Sequence, residues 1–288
     1  MFQNTNWLLA ESGSTKCDWL LFEGSSAQRS WSSSGLNLRV QGVAAVRRQL
    51  AEEVWPLLQG SQVSHVFFYG PSLSTPDACA HLAELLREGL GPSARIEVAH
   101  DLLAAARATC GHQAGVVGIL GTGSNACRYD GQQITESRGG WGYLLGDEGS
   151  GMDLGRSLLK AALDGELNAA HVAELEAQWG QTAPQLARSL YDLPRPNVRL
   201  AELAPALLAR RAAPPFGDLV ETRIRKYIEL SLVPWMLEAD SVVHVVGSIA
   251  AEVQPELARL LPDYGLRLGR VVARPLAGLA AFHLTYSI

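Results

Sequence analysis

Short apolar segments along the chain alternate with amphipathic ones, and small residues separate them. Trp7–Glu11, Asp18–Glu23 and Arg29–Ser34 predict three β-strands, of which the first two join at a tight glycine turn. In Val40–Trp55 the apolar residues recur every three or four positions, which predicts one amphipathic helix that ends at Pro56. Apolar strands followed by amphipathic helices are typical of layered α/β proteins.

The same alternation continues along the chain. The further strands predicted are Val63–Tyr69, Ile96–Ala99, Val116–Leu120, Ala126–Tyr129, Val242–Val246 and Arg267–Val272. The further helices predicted are Asp77–Leu90, Asp101–Thr109, Ile249–Leu260 and Leu276–Leu284, and residues 152–236 are predicted to be mostly helical. The pattern indicates an α/β fold of one large or two medium domains.

Two distant segments, LLAESGSTKCDWLLFEG and VGILGTGSNACRYDGQ, share one pattern of strand, small-residue turn and strand. Glycine lets a backbone approach a ligand closely, and the N–H groups, hydroxyls and one ammonium of such turns can donate to anionic oxygens. A third segment, VHVVGSIA, ends a buried-type strand in Gly-Ser just before a helix. A ring can lie flat against such a glycine, so the three segments together predict a nucleotide site. Each segment alone is also compatible with an ordinary hairpin turn or a plain strand–helix junction.

Composition narrows the classes of function. The 288 residues are 47% apolar, and 24 basic against 29 acidic side chains give a net charge of −5. A mildly acidic chain lacks the positive surface typical of proteins that bind nucleic acid or anionic membranes. No apolar run approaches the roughly 18 residues of a membrane span, and the first residues lack a secretory signal, so we expect a cytoplasmic protein. Four scattered cysteines and seven histidines without a metal-ligand spacing disfavour disulfide frameworks and zinc sites.

The three small-residue segments, in this order, resemble the phosphate-1, phosphate-2 and adenosine motifs of the sugar kinase/Hsp70/actin superfamily. Within it, ESGSTKCDW, HDLLAAARA, GILGTGSNA, GGWGYLLGDEGSG and RPLAGLAAF resemble the BadF/BadG/BcrA/BcrD ATPase family, which includes N-acetylglucosamine kinases. This resemblance implies an α/β fold of two ribonuclease H-like (actin-like ATPase) domains with a nucleotide cleft between them. The implied domains are residues 1–110, with a terminal helix at 275–288 packing back on them, and residues 111–274, which include a helical insertion.

The resemblance also implies where ATP and Mg²⁺ bind. The residues that match the phosphate and adenosine motifs are Gly13, Ser14, Thr15, Lys16, Gly121, Thr122, Gly123, Ser124, Gly247, Ser248 and Ala250. Asp101 matches the general base, which would accept the proton of the attacking sugar hydroxyl, although a helix N-cap is its structural alternative. Glu11 stands where the family usually has an Asp that helps to hold Mg²⁺ through water. The carboxylate is kept but lies one methylene further out, which puts the metal geometry and the turnover in doubt.

A sugar site is implied by further matches. The matching residues are Asn37, Gly140, Trp141, Asp147 and Glu148. A carboxylate can accept from two neighbouring hydroxyls, and an amide can donate or accept. Trp141 offers a flat face to a sugar ring or an acyl group, or else it is a hydrophobic wall of the glycine-rich loop; Ser150 is expected to cap the next helix. The zinc-binding CxCGxxGC motif of the related ROK sugar kinases is absent from the sequence.

These features favour an ATP-dependent kinase for an amino sugar, with O6 of N-acetylglucosamine as the expected acceptor. Glucosamine and N-acetylmuramate stay open as acceptors, and the lactyl carboxylate of the latter would need a basic partner such as Arg138 or Arg39. A second hypothesis is an ATPase that activates a 2-hydroxyacyl-CoA dehydratase, but four scattered cysteines do not suit the iron–sulfur cluster it needs. A third hypothesis is a non-catalytic sugar or nucleotide sensor. A homodimer is the base-rate expectation for assembly.

Overall fold

The computed structural model describes residues 5–13, 15–235 and 237–285. The contacts within it divide the chain into two compact units. The first unit comprises Met1–Ala114, Asp130–Gln133 and Arg274–Ile288, and the second comprises Gly115–Tyr129 and Ile134–Ala273. Each unit contains one five-stranded sheet.

Ten strands and thirteen α-helices lie in the described ranges. The strands are β1 (Asn6–Ser12), β2 (Lys16–Glu23), β3 (Ser26–Ser34), β4 (Val63–Gly70), β5 (Arg95–His100), β6 (Gly115–Leu120), β7 (Ser124–Tyr129), β8 (Ile134–Gly139), β9 (Ser241–Val246) and β10 (Leu266–Val272). The helices are α1 (Leu38–Gln41), α2 (Val43–Glu53), α3 (Pro76–Leu90), α4 (Asp101–Cys110), α5 (Gly151–Leu163), α6 (Ala169–Trp179), α7 (Ala183–Ser189), α8 (Pro196–Ala201), α9 (Ala204–Leu208), α10 (Phe216–Ser231), α11 (Ser248–Glu252), α12 (Gln254–Leu260) and α13 (Leu276–Thr285).

The two sheets share one topology. In the first unit the strand order is β3-β2-β1-β4-β5, with β1 to β3 antiparallel and β1, β4 and β5 parallel. In the second unit the order is β8-β7-β6-β9-β10, with β6 to β8 antiparallel and β6, β9 and β10 parallel. The two similar hairpins therefore open two copies of the same arrangement. The α/β fold class predicted from the sequence is confirmed.

Strand β1 lies at the centre of its sheet and is buried on both faces. Leu8 and Ala10 pack in a cluster with Leu50 of α2 and Leu85 of α3. Trp7 and Leu9 point to the opposite face, as alternate residues of a strand do, and pack with Leu279 of α13. A continuous apolar run is typical of such a central strand. Its far end, at Glu11 and Ser12, is consequently held between two packed layers.

Helix α13 packs against α4 and β1 within the first unit. Gly278 makes the close approach possible, because a Cβ there would lie 2.5 Å from the carbonyl oxygen of Ala108. His283 of α13 is buried, and its Nε2 lies 2.8 Å from the hydroxyl of Tyr69 on β4. The last three residues of the helix expected at 275–288 lie outside the described residues. Among the helices of the described ranges, none is both long and apolar enough to cross a membrane.

Three details of the predicted elements are wrong. The single helix expected at Val40–Trp55 is two helices and a 3₁₀ turn, because Gly42 adopts a φ of 79° between α1 and α2. The helix expected at Ile249–Leu260 is interrupted at Val253, because Pro255 starts a new first turn. Strand β8 was not expected, since ITESRG carries too few apolar residues for a strand pattern.

Candidate functional site

The phosphate-1 turn of the first unit is a tight connection between β1 and β2. The N–H of Gly13 donates to the carbonyl of Lys16 at 2.8 Å, while Ser14 lies outside the described residues. The Ser12 hydroxyl accepts from the N–H of Leu36 at 2.9 Å, and the carbonyl of Thr15 accepts from Gly35 at 3.0 Å. The turn and the loop before α1 therefore form one hydrogen-bonded structure.

Asn37 follows that loop and caps α1. Its Oδ1 accepts from the N–H of Arg39 at 3.1 Å, and its own N–H donates to Gln41 at 2.6 Å. In the described part of the chain, no hydrogen-bond partner meets the side-chain NH₂ of Asn37. Asn37, the residue expected to bind sugar, is thus fixed through its amide oxygen, and its amide NH₂ can donate to a ligand.

An acidic cluster surrounds the end of β1. Glu11 pairs in register with Asp18 of β2, and Lys16 lies 2.6 Å from the Asp18 carboxylate. Burial of Glu11, followed by the negative charges of Asp101 and Asp18, raises the pKa of Glu11 to about 7 against the opposing charge of Lys16. For Asp18, burial is outweighed by the hydrogen bonds from Lys16 and Ser32, and its pKa is lowered. The expected phosphate residue Lys16 is therefore held in this cluster.

This cluster fits a divalent cation in its chemistry. Carboxylate oxygens are the ligands that Mg²⁺ prefers, and one ammonium only partly offsets the three carboxylates. Within the described residues, no group of three or more His, Cys, Asp or Glu side chains has the geometry of a complete metal site. Glu11 alone of the cluster matches the position expected for the metal, so phosphate oxygens would have to supply further ligands.

Asp101 is the first residue of α4 and follows the carboxyl end of β5. His100, rather than Asp101, is the N-cap: its Nδ1 accepts from the N–H of Leu102 at 3.2 Å. The N-cap alternative for Asp101 is therefore wrong. The Oδ1 of Asp101 lies 2.7 Å from the same His100 nitrogen, which accepts from Leu102 when the imidazole is neutral and donates to Asp101 when it is protonated. Burial alone would lower the pKa of His100, but the hydrogen bond and the charge of Asp101 outweigh it and raise that pKa.

The phosphate-2 turn of the second unit joins β6 to β7. The N–H of Gly121 donates to the carbonyl of Gly123 at 2.9 Å, and the carbonyls of Gly121 and Thr122 accept from Gly151 and Met152 of α5. The turn is thus fastened to the N-terminus of α5 by backbone hydrogen bonds alone. Gly123 lets the turn approach Asp147 closely, because a Cβ there would lie 2.9 Å from a carboxylate oxygen of Asp147, which would have to move.

Asp147 lies under this turn. Its Oδ1 accepts from the N–H of Ser124 at 3.0 Å, and the residue is buried with a φ of 67°. Burial raises the pKa of Asp147, while the hydrogen bond from Ser124 opposes the rise. One oxygen of this expected sugar residue is therefore bound to the phosphate-2 turn. Glu148, which follows it, is partly exposed.

The glycine-rich loop before α5 exposes apolar side chains. Trp141 is 76% exposed, and Leu144 and Leu145 are exposed to a similar degree. Gly140 contacts β7 closely, since a Cβ there would lie 2.6 Å from the amide nitrogen of Asn125. Trp141 is therefore available to a ligand on a loop whose base is fixed, and the alternative of a buried hydrophobic wall is not supported.

The expected adenosine segment lies beside the phosphate-2 turn. Gly247 has a φ of 126°, and a Cβ there would lie 2.2 Å from the carbonyl oxygen of Leu120, at the end of β6. Ser248 begins α11 and is exposed, whereas Ala250 is buried. The structure thus brings the two segments expected to bind nucleotide in the second unit together, and the close approach at Gly247 requires glycine.

A buried ion cluster that the sequence analysis did not predict supports the glycine-rich loop. Asp153 of α5 is fully buried and accepts from the N–H of Gly149 at 2.9 Å. Arg156 and Arg223 bind its two oxygens at 2.6 and 2.7 Å. Ser150 caps α5 as expected, accepting from the N–H of Asp153. The Ser-x-x-Asp spacing is a capping signal that pointed to this residue, but nothing in the sequence pointed to its arginines.

Two solved structures of other proteins resemble this chain in sequence and fold. A structure of a proposed N-acetylglucosamine kinase from Porphyromonas gingivalis is 33% identical, with a TM-score of 0.93 over 98% of this chain and 100% of that one. A second proposed N-acetylglucosamine kinase, from Chromobacterium violaceum, is 21% identical with a TM-score of 0.72 over 96% of this chain and 98% of that one, and shows the shared fold. No family model matches the chain.

Among curated proteins, an N-acetylmuramic acid/N-acetylglucosamine kinase of Clostridium acetobutylicum is 30% identical over 171 residues. That match covers 58% of this chain and 54% of the relative, so the chain spans about half the length of the curated protein. The Porphyromonas protein, in contrast, is matched along its whole length. On that match, and on two copies of the actin-like topology, the chain belongs to the sugar kinase/Hsp70/actin superfamily and, within it, to the N-acetylglucosamine kinase-like proteins.

Proposed function

We propose that the chain is an ATP-dependent kinase that phosphorylates an amino sugar, with O6 of N-acetylglucosamine as the acceptor. The observation that carries the proposal is the whole-length similarity to the Porphyromonas protein at 33% identity. The position of Asp101 at the carboxyl end of β5 supports it, since the helix that begins there fixes the backbone of Asp101. The motif GGWGYLLGDEGSG supports the finer assignment to the BadF/BadG/BcrA/BcrD ATPase family.

In the proposed reaction, Asp101 accepts the proton of the acceptor hydroxyl as its oxygen bonds to the γ-phosphorus. The bond from that phosphorus to the bridging oxygen breaks, and ADP leaves. In the two phosphate turns, the backbone N–H groups that are not engaged within the described residues, such as those of Thr122 and Gly123, donate to the phosphates, and Gly247 gives the adenine a flat surface. When bound through Glu11, Mg²⁺ would neutralise charge on the phosphates.

The roles of the sugar residues differ in this proposal. The free NH₂ of Asn37 and the carboxylate of Glu148 contact sugar hydroxyls, and Trp141 packs against the ring or the acyl group. Asp147 holds the phosphate-2 turn with one oxygen and has the other for the sugar. A homodimer in the cytoplasm remains a prediction.

N-Acetylmuramate is a second candidate acceptor, because the Clostridium relative is named for both sugars. Its lactyl carboxylate would need a cation. Arg138 lies over the ring of Trp235 and 3.6 Å from Glu136, whereas Arg39 is exposed on α1. Arg39 is the better partner, since no ion pair in the described part of the chain engages it.

The test is ADP release with ATP and Mg²⁺ in the presence of N-acetylglucosamine, glucosamine, N-acetylmuramate, N-acetylmannosamine, glucose or no sugar. We expect one amino sugar to raise the rate far above the blank, and Asp101→Asn to lower that rate about 100-fold or more. Asp77→Asn, at the exposed start of α3, is the matched control and should leave the rate unchanged. If the protein binds ATP but releases ADP at the same rate with every sugar as without sugar, the proposed kinase activity is refuted.

A further inference from the structure

A cavity of about 630 Å³ lies in the first unit, away from Asp101. It is bordered by the beginnings of β4 and β5, the last part of α4, and α13. Asp101 follows the opposite end of β5. The cavity has the size of ordinary small-molecule sites, and none of the residues assigned to sugar or nucleotide lines it.

The formal charges of the two arginines and two carboxylates that line the cavity sum to zero, but they are not evenly paired. Glu97 is bound to Arg107 at 2.5 Å, and Asp130 accepts from the N–H groups of Gln132 and Gln133, both at 2.8 Å. Both carboxylates are therefore occupied by neighbouring groups. Arg95 has no ion-pair partner in the described ranges of the chain. One guanidinium is left to face a ligand.

The remaining wall is aromatic. His283 stacks on Phe67 with ring centroids 3.8 Å apart, and His112 lies 4.4 Å from Phe282. Burial, and then the charge of Arg107, lowers the pKa of His283 to about 3, while burial and Arg95 lower the pKa of His65. These two imidazoles are therefore neutral near pH 7, and they offer apolar ring surface.

We propose that this cavity is a second ligand site, which takes a small aromatic anion. The ring of the ligand contacts the edges of Phe67, Phe282 and the imidazoles, and its carboxylate or phosphate pairs with Arg95. Helix α4 carries Arg107 at the cavity and Asp101 at its other end. The binding itself is independent of the proposed kinase activity.

The test uses phenyl phosphate, inorganic phosphate and benzyl alcohol in calorimetric titrations of the full chain. We expect saturable binding of phenyl phosphate that is at least tenfold tighter than that of the other two, because only it satisfies both the cation and the rings. Arg95→Ala should weaken that binding at least tenfold. Arg48→Ala, an exposed arginine of α2 that does not line the cavity, should leave it unchanged.

A second readout locates the site. In nitrogen-15 spectra of the imidazoles, phenyl phosphate should shift the signals of His65 and His112 in the unaltered chain and not in Arg95→Ala. Absence of saturable binding overturns the proposal. So does equal binding by Arg95→Ala, which would place phenyl phosphate elsewhere, for example on the phosphate turns. Equal affinity for inorganic phosphate would reduce the cavity to a plain anion site and also refute the stated ligand class.

Discussion

Asp147 shows how one side chain can link two parts of a site. It adopts a left-handed φ of 67°, which is unusual outside glycine and asparagine-like residues, and its carboxylate binds the N–H of Ser124. The strain in the backbone therefore aims an acceptor at the phosphate-2 turn. From the sequence, this residue was expected only to contact sugar.

Removing that acceptor should weaken nucleotide binding. Asp147→Gly keeps the backbone conformation but leaves the Ser124 N–H without its partner, at a cost of about 1–3 kcal/mol. We expect its KM for ATP to rise about tenfold. Asp147→Asn keeps an acceptor and should stay near the original KM for ATP. Glu148→Gln is the contrast, and should raise the KM for the sugar alone.

Steady-state kinetics with each substrate varied in turn checks this. If Asp147→Gly raised only the KM for the sugar, as Glu148→Gln is expected to, the positioning role of Asp147 would be refuted.

At the scale of elements, the N-terminus of α5 depends on a buried charge cluster. Asp153→Asn would remove one partner of Arg156 and Arg223, and loss of a buried ionic partner is strongly destabilising. We expect the free energy of unfolding to fall by about 2–4 kcal/mol. Asp164→Asn at the C-cap of the same helix, which breaks the exposed pair with Lys160, should change the free energy of unfolding little.

Urea unfolding of the two variants measures the difference. Equal effects of Asp153→Asn and Asp164→Asn would mean that the buried cluster does not stabilise the start of α5.

The elements also show what the sequence could predict. Nine of the ten strands in the described ranges and the repeated hairpin were predictable, because apolar runs broken by glycine are typical of strands in a layered fold. The interruption of the first helix at Gly42 was not, since its apolar spacing continues across the break. His100 as the cap of α4, and the hydrogen bonds of Ser12 with Leu36, depend on contacts between distant elements that no local pattern encodes.

The roles of the two turns and of Asp101 toward ligands stay predictions. Of their structure, the sequence predicted a small-residue turn between paired strands in each unit and a helix that begins at Asp101. It did not locate Arg223, which reaches Asp153 from a helix 70 residues further along. Long-range ion pairs of this kind follow from the packing of α10 on α5 rather than from spacing. Residues that hold a site in place through distant ion pairs are thus harder to predict from sequence than short motifs proposed to contact the ligand.

On the scale of the whole molecule, the first unit contains both the N-terminal part of the chain and its C-terminal part, which includes α13, and most of the sequence between them forms the second unit. The returning helix α13 brings His283 against Tyr69 and Phe67, in the layer that also holds Trp7. Elements from both ends of the chain therefore meet around one buried imidazole. The stability of the first unit depends on that imidazole being neutral.

This dependence predicts a loss of stability in mild acid. Burial, with Arg107 as the second cause, lowers the pKa of His283 from 6.5 to about 3. Below pH 6.5 the unfolded chain binds a proton there that the folded chain does not, so stability falls as the pH falls toward 3. By pH 5 the loss of unfolding free energy from this group is about 2 kcal/mol.

His283→Gln keeps a partner for Tyr69 and cannot take up a proton. The difference in unfolding free energy between the original chain and His283→Gln should therefore shift by that amount in favour of the variant between pH 7 and pH 5. Urea titrations across this range measure the shift, and parallel pH curves for the two proteins would show that His283 is not held neutral by its surroundings.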